Sequence, residues 1–323
     1  MDVKCLPLMT LLFAVALPLE DVRSQSYPAK TVRIIVPYAP GANADLITRL
    51  IAQRLAPAWG QQVLLDNRPG GATNIGSAFA ARSAPDGYTL LLAGPPNAIN
   101  IPLMRKLPYD LLTDFAPIIL CTRIPNVLSV HPSVPARSVR ELIALAKARP
   151  GQLNFASGGL GSANQMAGEQ LKMIAKIDIV HVPYKGSAPA IVDAIGGQVE
   201  MLFAGISSLI SHIKSGRLRP LATGSTQRLA MISDVPTFIE SSFPEMTTSV
   251  WFGLMAPAAA PREIVAKINT DVHAILSSQE ARERLIADGQ EPGGGSPEEL
   301  DKFIRNEIAK YAKVIKAAGI NPE

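Results

Sequence analysis

A buried strand that runs straight into a turn and then an amphipathic helix constrains this chain more than any other feature. Val32, Ile34, Ile35 and Val36 form a near-continuous β-rich run, read as a strand buried on both faces. Pro37-Tyr38-Ala39-Pro40-Gly41 ends it. Leu46, Ile47, Leu50, Ile51 and Leu55 follow at helical spacing, with Arg49 and Arg54 off that face. Asn43 is the expected N-cap, and Asp45 sits in the first turn, where a carboxylate complements the helix dipole. The pattern continues with a short strand at 63–65, a turn at 67–71, a small-residue helix at 75–81 capped by Asn74, and a strand at 88–93. It restarts downstream. A helix at 142–148 precedes a strand at 153–156, the loop Ser157-Gly158-Gly159-Leu160-Gly161, and a helix that Ser162 caps and that runs to about 174. A strand at 179–182, a loop at 185–187 and a helix to 195 follow. Strands at 199–203 and 218–222 then flank a helix near Leu209. Strand alternating with helix, twice over, implies two parallel-sheet α/β lobes.

The second lobe reads as an insertion. Strands at 118–121 and 127–130 flank Pro125, and 251–255 is a late β-rich run. Three helices are expected after it, near 262–277, 280–288 and 297–317, covering the first lobe with no strand between them. Gly293-Gly294-Gly295 reads as a loop before the last helix. The expected boundaries are 27–123 with 250–323 for lobe 1, and 124–249 for lobe 2. Crossings near 122–126 and 247–251 would form the hinge of a Venus flytrap.

Residues 1–26 are read as a cleaved export signal. Lys4 gives the positive start, 5–19 is an apolar run too short to span a bilayer, and Ser24-Gln25-Ser26 places cleavage before Tyr27. Removing this segment takes away Lys4, Arg23, Asp2, Glu20 and Asp21, so the net charge moves from +4 to about +5. A mild basic excess suits anionic solutes. No Lys/Arg run with interleaved aromatics points to nucleic acid. Cys121 is then the only cysteine, which excludes an intramolecular disulfide and a cysteine-rich metal site.

The strongest chemical candidates are the two strand-to-helix loops. A helix start carries unpaired N–H groups with the dipole behind them, and so suits a carboxylate or phosphate. Gly41, Ala42 and Asn43 open one such helix, between Tyr38 in the preceding turn and Asp45 in the first helical turn. Gly161, Ser162 and Ala163 open the other, after Ser157. Lys185 stands beside the presumed cleft and could meet a second carboxylate; a surface lysine is the equal alternative. Gly159-Leu160-Gly161 is no dinucleotide fingerprint, because Asn164 replaces the final glycine. There is no Gly-Lys-Ser/Thr phosphate loop and no Gly-x-Ser-x-Gly elbow. Ser162 could serve a secreted hydrolase only with one of His131, His181, His212 or His273 as base. None of these shows metal spacing or a local carboxylate partner. No cofactor is implied.

Taken together, further segments carry a specific pattern. They are Asp66-Asn67-Arg68-Pro69-Gly70, Pro85-Asp86-Gly87-Tyr88-Thr89-Leu90, Leu107-Pro108-Tyr109-Asp110, His181 through Ala190, Gly196-Gly197-Gln198-Val199 and Val235-Pro236-Thr237. With Pro37 to Gly41, they make the chain resemble, nearly end to end, the substrate-binding proteins of tripartite tricarboxylate transporters, the Bug or TctC-like family. The resemblance implies a type II periplasmic binding protein, monomeric, that holds a small carboxylate between its lobes for the membrane subunits of a permease. It places ligand contacts at the two loops named above, with Ala188, Ala204 and Gly205 on the far side. Three positions depart from the pattern. Ala42 replaces a usual glycine, so its φ must stay negative or be strained. Gln165 replaces a common histidine, and Ala204 a common aspartate. Without that aspartate a ligand ammonium loses a partner, which favours a mono- or dicarboxylate or an aromatic acid over an amino acid. A periplasmic sensor component remains an alternative.

Overall fold

The computed structural model describes residues 27–321, so the expected leader and its cleavage site lie outside the described residues. The chain begins β1 (Val32–Val36), α1 (Asn43–Trp59), β2 (Val63–Asn67), α2 (Asn74–Ala81), β3 (Thr89–Ala93) and α3 (Pro95–Leu103). It continues β4 (Phe115–Val130), α4 (Val139–Ala148), β5 (Asn154–Ser157), α5 (Ala163–Ala175), β6 (Val180–Pro183), α6 (Ser187–Ile195), β7 (Met201–Gly205), α7 (Ile206–Lys214) and β8 (Arg219–Thr223). It ends β9 (Ser249–Pro257), α8 (Arg262–Ser277), α9 (Gln279–Ala287), β10 (Glu291–Gly294) and α10 (Pro297–Ala317).

β1 lies parallel to β2 and β3, and β5 lies parallel to β6 and β7. These two sets are the centres of the two lobes. The inner strands β3, β5 and β7 are largely buried on both faces, as a helix-covered parallel sheet requires, whereas the outer strands β2 and β6 are partly exposed. The strands that join the lobes are antiparallel to their neighbours: β9 pairs with β3 and β4, and β4 pairs with β7 and β8. The chain passes between lobes along a strand and returns along its partner, and that course gives an antiparallel pair. The full order is β2-β1-β3-β9-β4-β7-β5-β6, with β10 and β8 added along β4.

Three elements differ from expectation. β4 is a single 16-residue strand through Pro117 and Pro125, not two strands flanking Pro125. Proline is tolerated there because Pro117 sits at a register shift, and Pro125 is the last residue paired with β9 before Asn126 joins β7. α3 was not anticipated from Pro95-Pro96, yet proline suits a first helical turn. β10 replaces the expected glycine loop and runs antiparallel to β4, with Gly294 opposite Leu120. A Cβ on Gly293 would collide with the Leu120 backbone, so glycine is required for that close approach.

Apolar packing follows the lobes only in part, since one cluster runs from Val32 and Ile51 across to Leu202 and Ile206. Ile35, Leu91, Trp251, Leu300 and Tyr311 fill one cluster of the first lobe. Leu128, Leu142, Phe155, Leu171 and Phe203 fill the second lobe. Trp251 is core, as its sequence context suggested, and its Nε1 donates to Glu307 Oε2 at 3.2 Å.

Candidate functional site

The helix starts fall into two kinds. α4, α5, α9 and α10 begin on Ser138, Ser162, Ser278 and Ser296, whose hydroxyls accept the amides of Glu141, Gln165, Ala281 and Glu299. Each cap takes up one amide of its helix start. α1, α6 and α7 begin on Ala42, Gly186 and Gly205, with no side-chain cap. They follow the carboxyl ends of β1, β6 and β7, where open α/β sheets take ligands.

The first cradle is built around Asp45. Ala42 is the N-cap at φ −71°, so the missing glycine is accommodated without strain. Asn43 is therefore the first helical residue and not the cap that was expected. The amides of Asn43, Ala44 and Asp45 leave the helix start with no intrahelical acceptor. The preceding amides are not free: Gly41 donates to Asp45 Oδ2 at 3.1 Å, and Ala42 donates to the Ala39 carbonyl at 3.3 Å. The Asp45 carboxylate also accepts from Arg49 Nε at 2.8 Å and Asn67 Nδ2 at 3.1 Å. With the residue 2 % exposed, Asp45 shapes the loop from within. Burial works to raise its pKa, but the hydrogen bonds from Arg49, Gly41 and Asn67 outweigh it and hold the carboxyl below its ordinary value. Tyr38 packs edge-on against Phe252, with ring centres 5.5 Å apart. Its hydroxyl is buried beside Gly94 without a partner, and burial raises its pKa.

The second cradle repeats the device. Gly161 donates to Gln165 Oε1 at 2.7 Å, as Gly41 does to Asp45, in each case four residues along. Both glycines hold positive φ, +82° and +69°, a backbone conformation that strains any residue with a β-carbon. Ser162 caps α5 as expected, and its hydroxyl accepts from Gln165 N at 3.2 Å. Its own amide donates to the Gly159 carbonyl at 3.3 Å. The open amides are therefore those of Ala163, one of the expected residues, and of Asn164, while Gly161 and Ser162 are used within the loop. Ser157 is only 1 % exposed, and its hydroxyl is used inside the loop.

The starts of α5 and α6 are joined. Asn164 Nδ2 donates to Ser187 Oγ at 3.4 Å, and Gly186 N donates to the Gly158 carbonyl at 3.1 Å. Asn164 is buried with Oδ1 unpartnered. Ser187 and Ala188 add two uncapped amides, whereas Pro189 has none. Lys185 is exposed and makes no ion pair among the described residues. Gly205 is the N-cap of α7, but Ala204 lies 1 % exposed inside an apolar cluster. α5 also reaches the first lobe. A β-carbon on Gly161 would sit 3.1 Å from Leu103 Cδ2, and Met166 packs into the first lobe's cluster with Trp251.

A serine–histidine contact does occur, but not at Ser162. Ser157 Oγ lies 2.6 Å from His181 Nε2. Ser157 is buried, and no carboxylate accepts from the imidazole among the described residues, so the orienting third member of a hydrolase triad is missing. No group of three or more His, Cys, Asp or Glu that could hold a metal exists among the described residues, and no described helix is long and apolar enough to cross a membrane. What these loops offer is main-chain N–H dipoles at helix starts, a device suited to an anion.

Residues 47–320 match the model of the tripartite tricarboxylate transporter family receptor, TctC. The chain is 37 % identical over 300 residues to Protein BugT of Bordetella pertussis, with 92 % of each chain covered. It is 38 % identical to R. palustris Rpa4515, solved with adipate, at a TM-score of 0.81 over 92 % of this chain and 100 % of that one. It is 28 % identical to the periplasmic binding protein BugD, at a TM-score of 0.77 over 92 % and 100 % of the two chains. The matched family is one of transporter receptors, and BugD is a periplasmic binding protein. A two-lobed α/β frame, uncapped helix starts at its strand ends and a match across nearly the whole chain agree: the protein belongs to the TctC family of tripartite tricarboxylate transporter receptors.

Proposed function

We propose that this receptor captures a small dicarboxylate, or a related mono- or aromatic carboxylate, between lobes 27–123 with 250–323 and 124–249. It works in the periplasm after loss of residues 1–26, and presents the closed form to the membrane subunits of a tripartite permease. The observation that carries this reading is the set of amides left open at Asn43 and Ala44, Ala163 and Asn164, and Ser187 and Ala188. One ligand carboxylate accepts from the first two helix starts, and Lys185 faces the second carboxylate. Gly41 and Gly161 let the loops approach, while Asp45, Ser157 and Ser162 hold their shape. A ligand that touches both lobes stabilises their closed arrangement, which a permease can then distinguish.

The adipate complex of Rpa4515 supports a dicarboxylate. Ala204 offers no carboxylate for a ligand ammonium, which disfavours amino acids. The test is calorimetric titration of the receptor with adipate, succinate, benzoate and glutamate, after unfolding and refolding to remove any native ligand. Binding of a non-amino carboxylate with glutamate at least tenfold weaker is expected. Preferential glutamate binding, or no response to any acid, would overturn the reading.

A further inference from the structure

We propose that His181 is a positioning residue for the second cradle, and that it acts through Ser157. The proposal rests on the carboxylate-binding reading above. His181 lies in β6, where its register partner in β5 is Phe155. The two rings stack with centres 4.9 Å apart, which aims the imidazole edge along the sheet toward the end of β5. There Nε2 meets Ser157 Oγ at 2.6 Å.

Ser157 Oγ has two further neighbours, both on Gly159: the amide at 3.1 Å and the carbonyl at 3.2 Å. A hydroxyl has one proton and two lone pairs. If Nε2 carries its hydrogen, Ser157 accepts from His181 and from the Gly159 amide, and donates to the Gly159 carbonyl. Every group is then satisfied. In the other tautomer the serine proton goes to Nε2, and the Gly159 carbonyl keeps only the Ser162 amide as donor. The neutral Nε2–H form makes one more hydrogen bond and is favoured on that count. Burial agrees, holding the imidazole pKa down to about 4, with Lys172 adding to the effect.

This clamp holds the loop at Gly159, which makes no other side-chain hydrogen bond. Gly159 stands at φ +124°, with its would-be β-carbon 2.9 Å from the Tyr184 carbonyl. The Ser162 amide donates to that same Gly159 residue's carbonyl, so the position of Gly159 is passed directly to the α5 cap and to the amides of Ala163 and Asn164. Because Tyr184 N donates to the Ser157 carbonyl and Gly186 N to that of Gly158, the same clamp keeps the starts of α5 and α6 in one frame. Hydrogen-bond donors must be held within fractions of an ångström to act together on one anion.

His181→Phe keeps the stack on Phe155 and removes the nitrogen, while His181→Gln can return a donor near the place of Nε2. Ser157→Ala removes the other half of the contact and serves if the phenylalanine variant folds poorly. Adipate is the probe in calorimetry, and amide hydrogen exchange of Gly159 is followed in the ligand-free protein. His181→Phe and Ser157→Ala should each weaken adipate binding about tenfold and speed Gly159 exchange, with no further loss in the double variant. His181→Gln should stay within about threefold of the parent. Parent-like adipate binding and Gly159 exchange in His181→Phe would overturn the clamp. If the parent itself binds no carboxylate, the functional reading fails, and the exchange measurement alone still decides the clamp.

Discussion

Replacing Ala163 by proline isolates one open amide. Ala163 is the first residue of α5, where proline's fixed φ fits and its missing N–H breaks no intrahelical bond. Proline also requires an extended residue before it, and Ser162 already lies at φ −82°, ψ 151°. The cap from Ser162 to Gln165 N is untouched. What disappears is one donor to a bound carboxylate, a charge-assisted hydrogen bond of about 1.5–3 kcal/mol. That corresponds to adipate binding roughly 10- to 100-fold weaker by calorimetry. Gln279→Pro is the matched control: it is also a first helical position behind a capping serine, Ser278 at φ −62°, ψ 142°, but α9 follows another helix and no strand end. It should leave affinity unchanged. Both variants should melt within a few degrees of the parent. Adipate affinity within twofold of the parent in Ala163→Pro would refute the assignment of this amide to the ligand.

Two further outcomes follow from buried groups. Asp45→Asn should destabilise the fold by about 2–3 kcal/mol near neutral pH, because buried donors lose a charged acceptor. The lowered carboxyl pKa means this stability is present above the ordinary carboxylate range and is lost as pH falls through the folded-state value, so the gap between the parent and Asp45→Asn melting curves should close in acid; a gap that stays constant with pH would contradict it. Cys121 is fully buried, and burial pushes its thiol pKa up to about 12. A thiol-specific reagent at pH 8 should therefore label native protein only at the rate of unfolding, and rapid labelling of the folded state would show that burial fails to protect it.

Long apolar runs made the frame legible. Val32–Val36 and the helix-spaced Leu46, Ile47, Leu50 and Ile51 announced β1 and α1, and the downstream alternation announced the second lobe. β10 was invisible because Glu291-Pro292-Gly293-Gly294 has no strand propensity of its own. It is a strand only because β4 offers it an edge. The two strand-to-helix loops were legible from the apolar runs around them; within them the amides of Gly41, Ala42, Gly161 and Ser162 are taken up by their own loops, while Asn43 and Ala163 of the expected residues have no intrahelical acceptor. The side chains that take up the glycine amides, Asp45 and Gln165, fold back only once the helix has formed. The Ser157–His181 contact joins neighbouring strands 24 residues apart, and no local pattern encodes such a register.

β4 also governs how the molecule flexes. Its first residues are laced to β9 and β10, and its last to β7 and β8. No loose tether joins the halves at this crossing, so relative rotation must appear as added twist in a short ladder around Ile124 to Asn126. Such a joint behaves like a leaf spring: travel is limited, and the restoring force is built into the backbone pairing that any movement distorts.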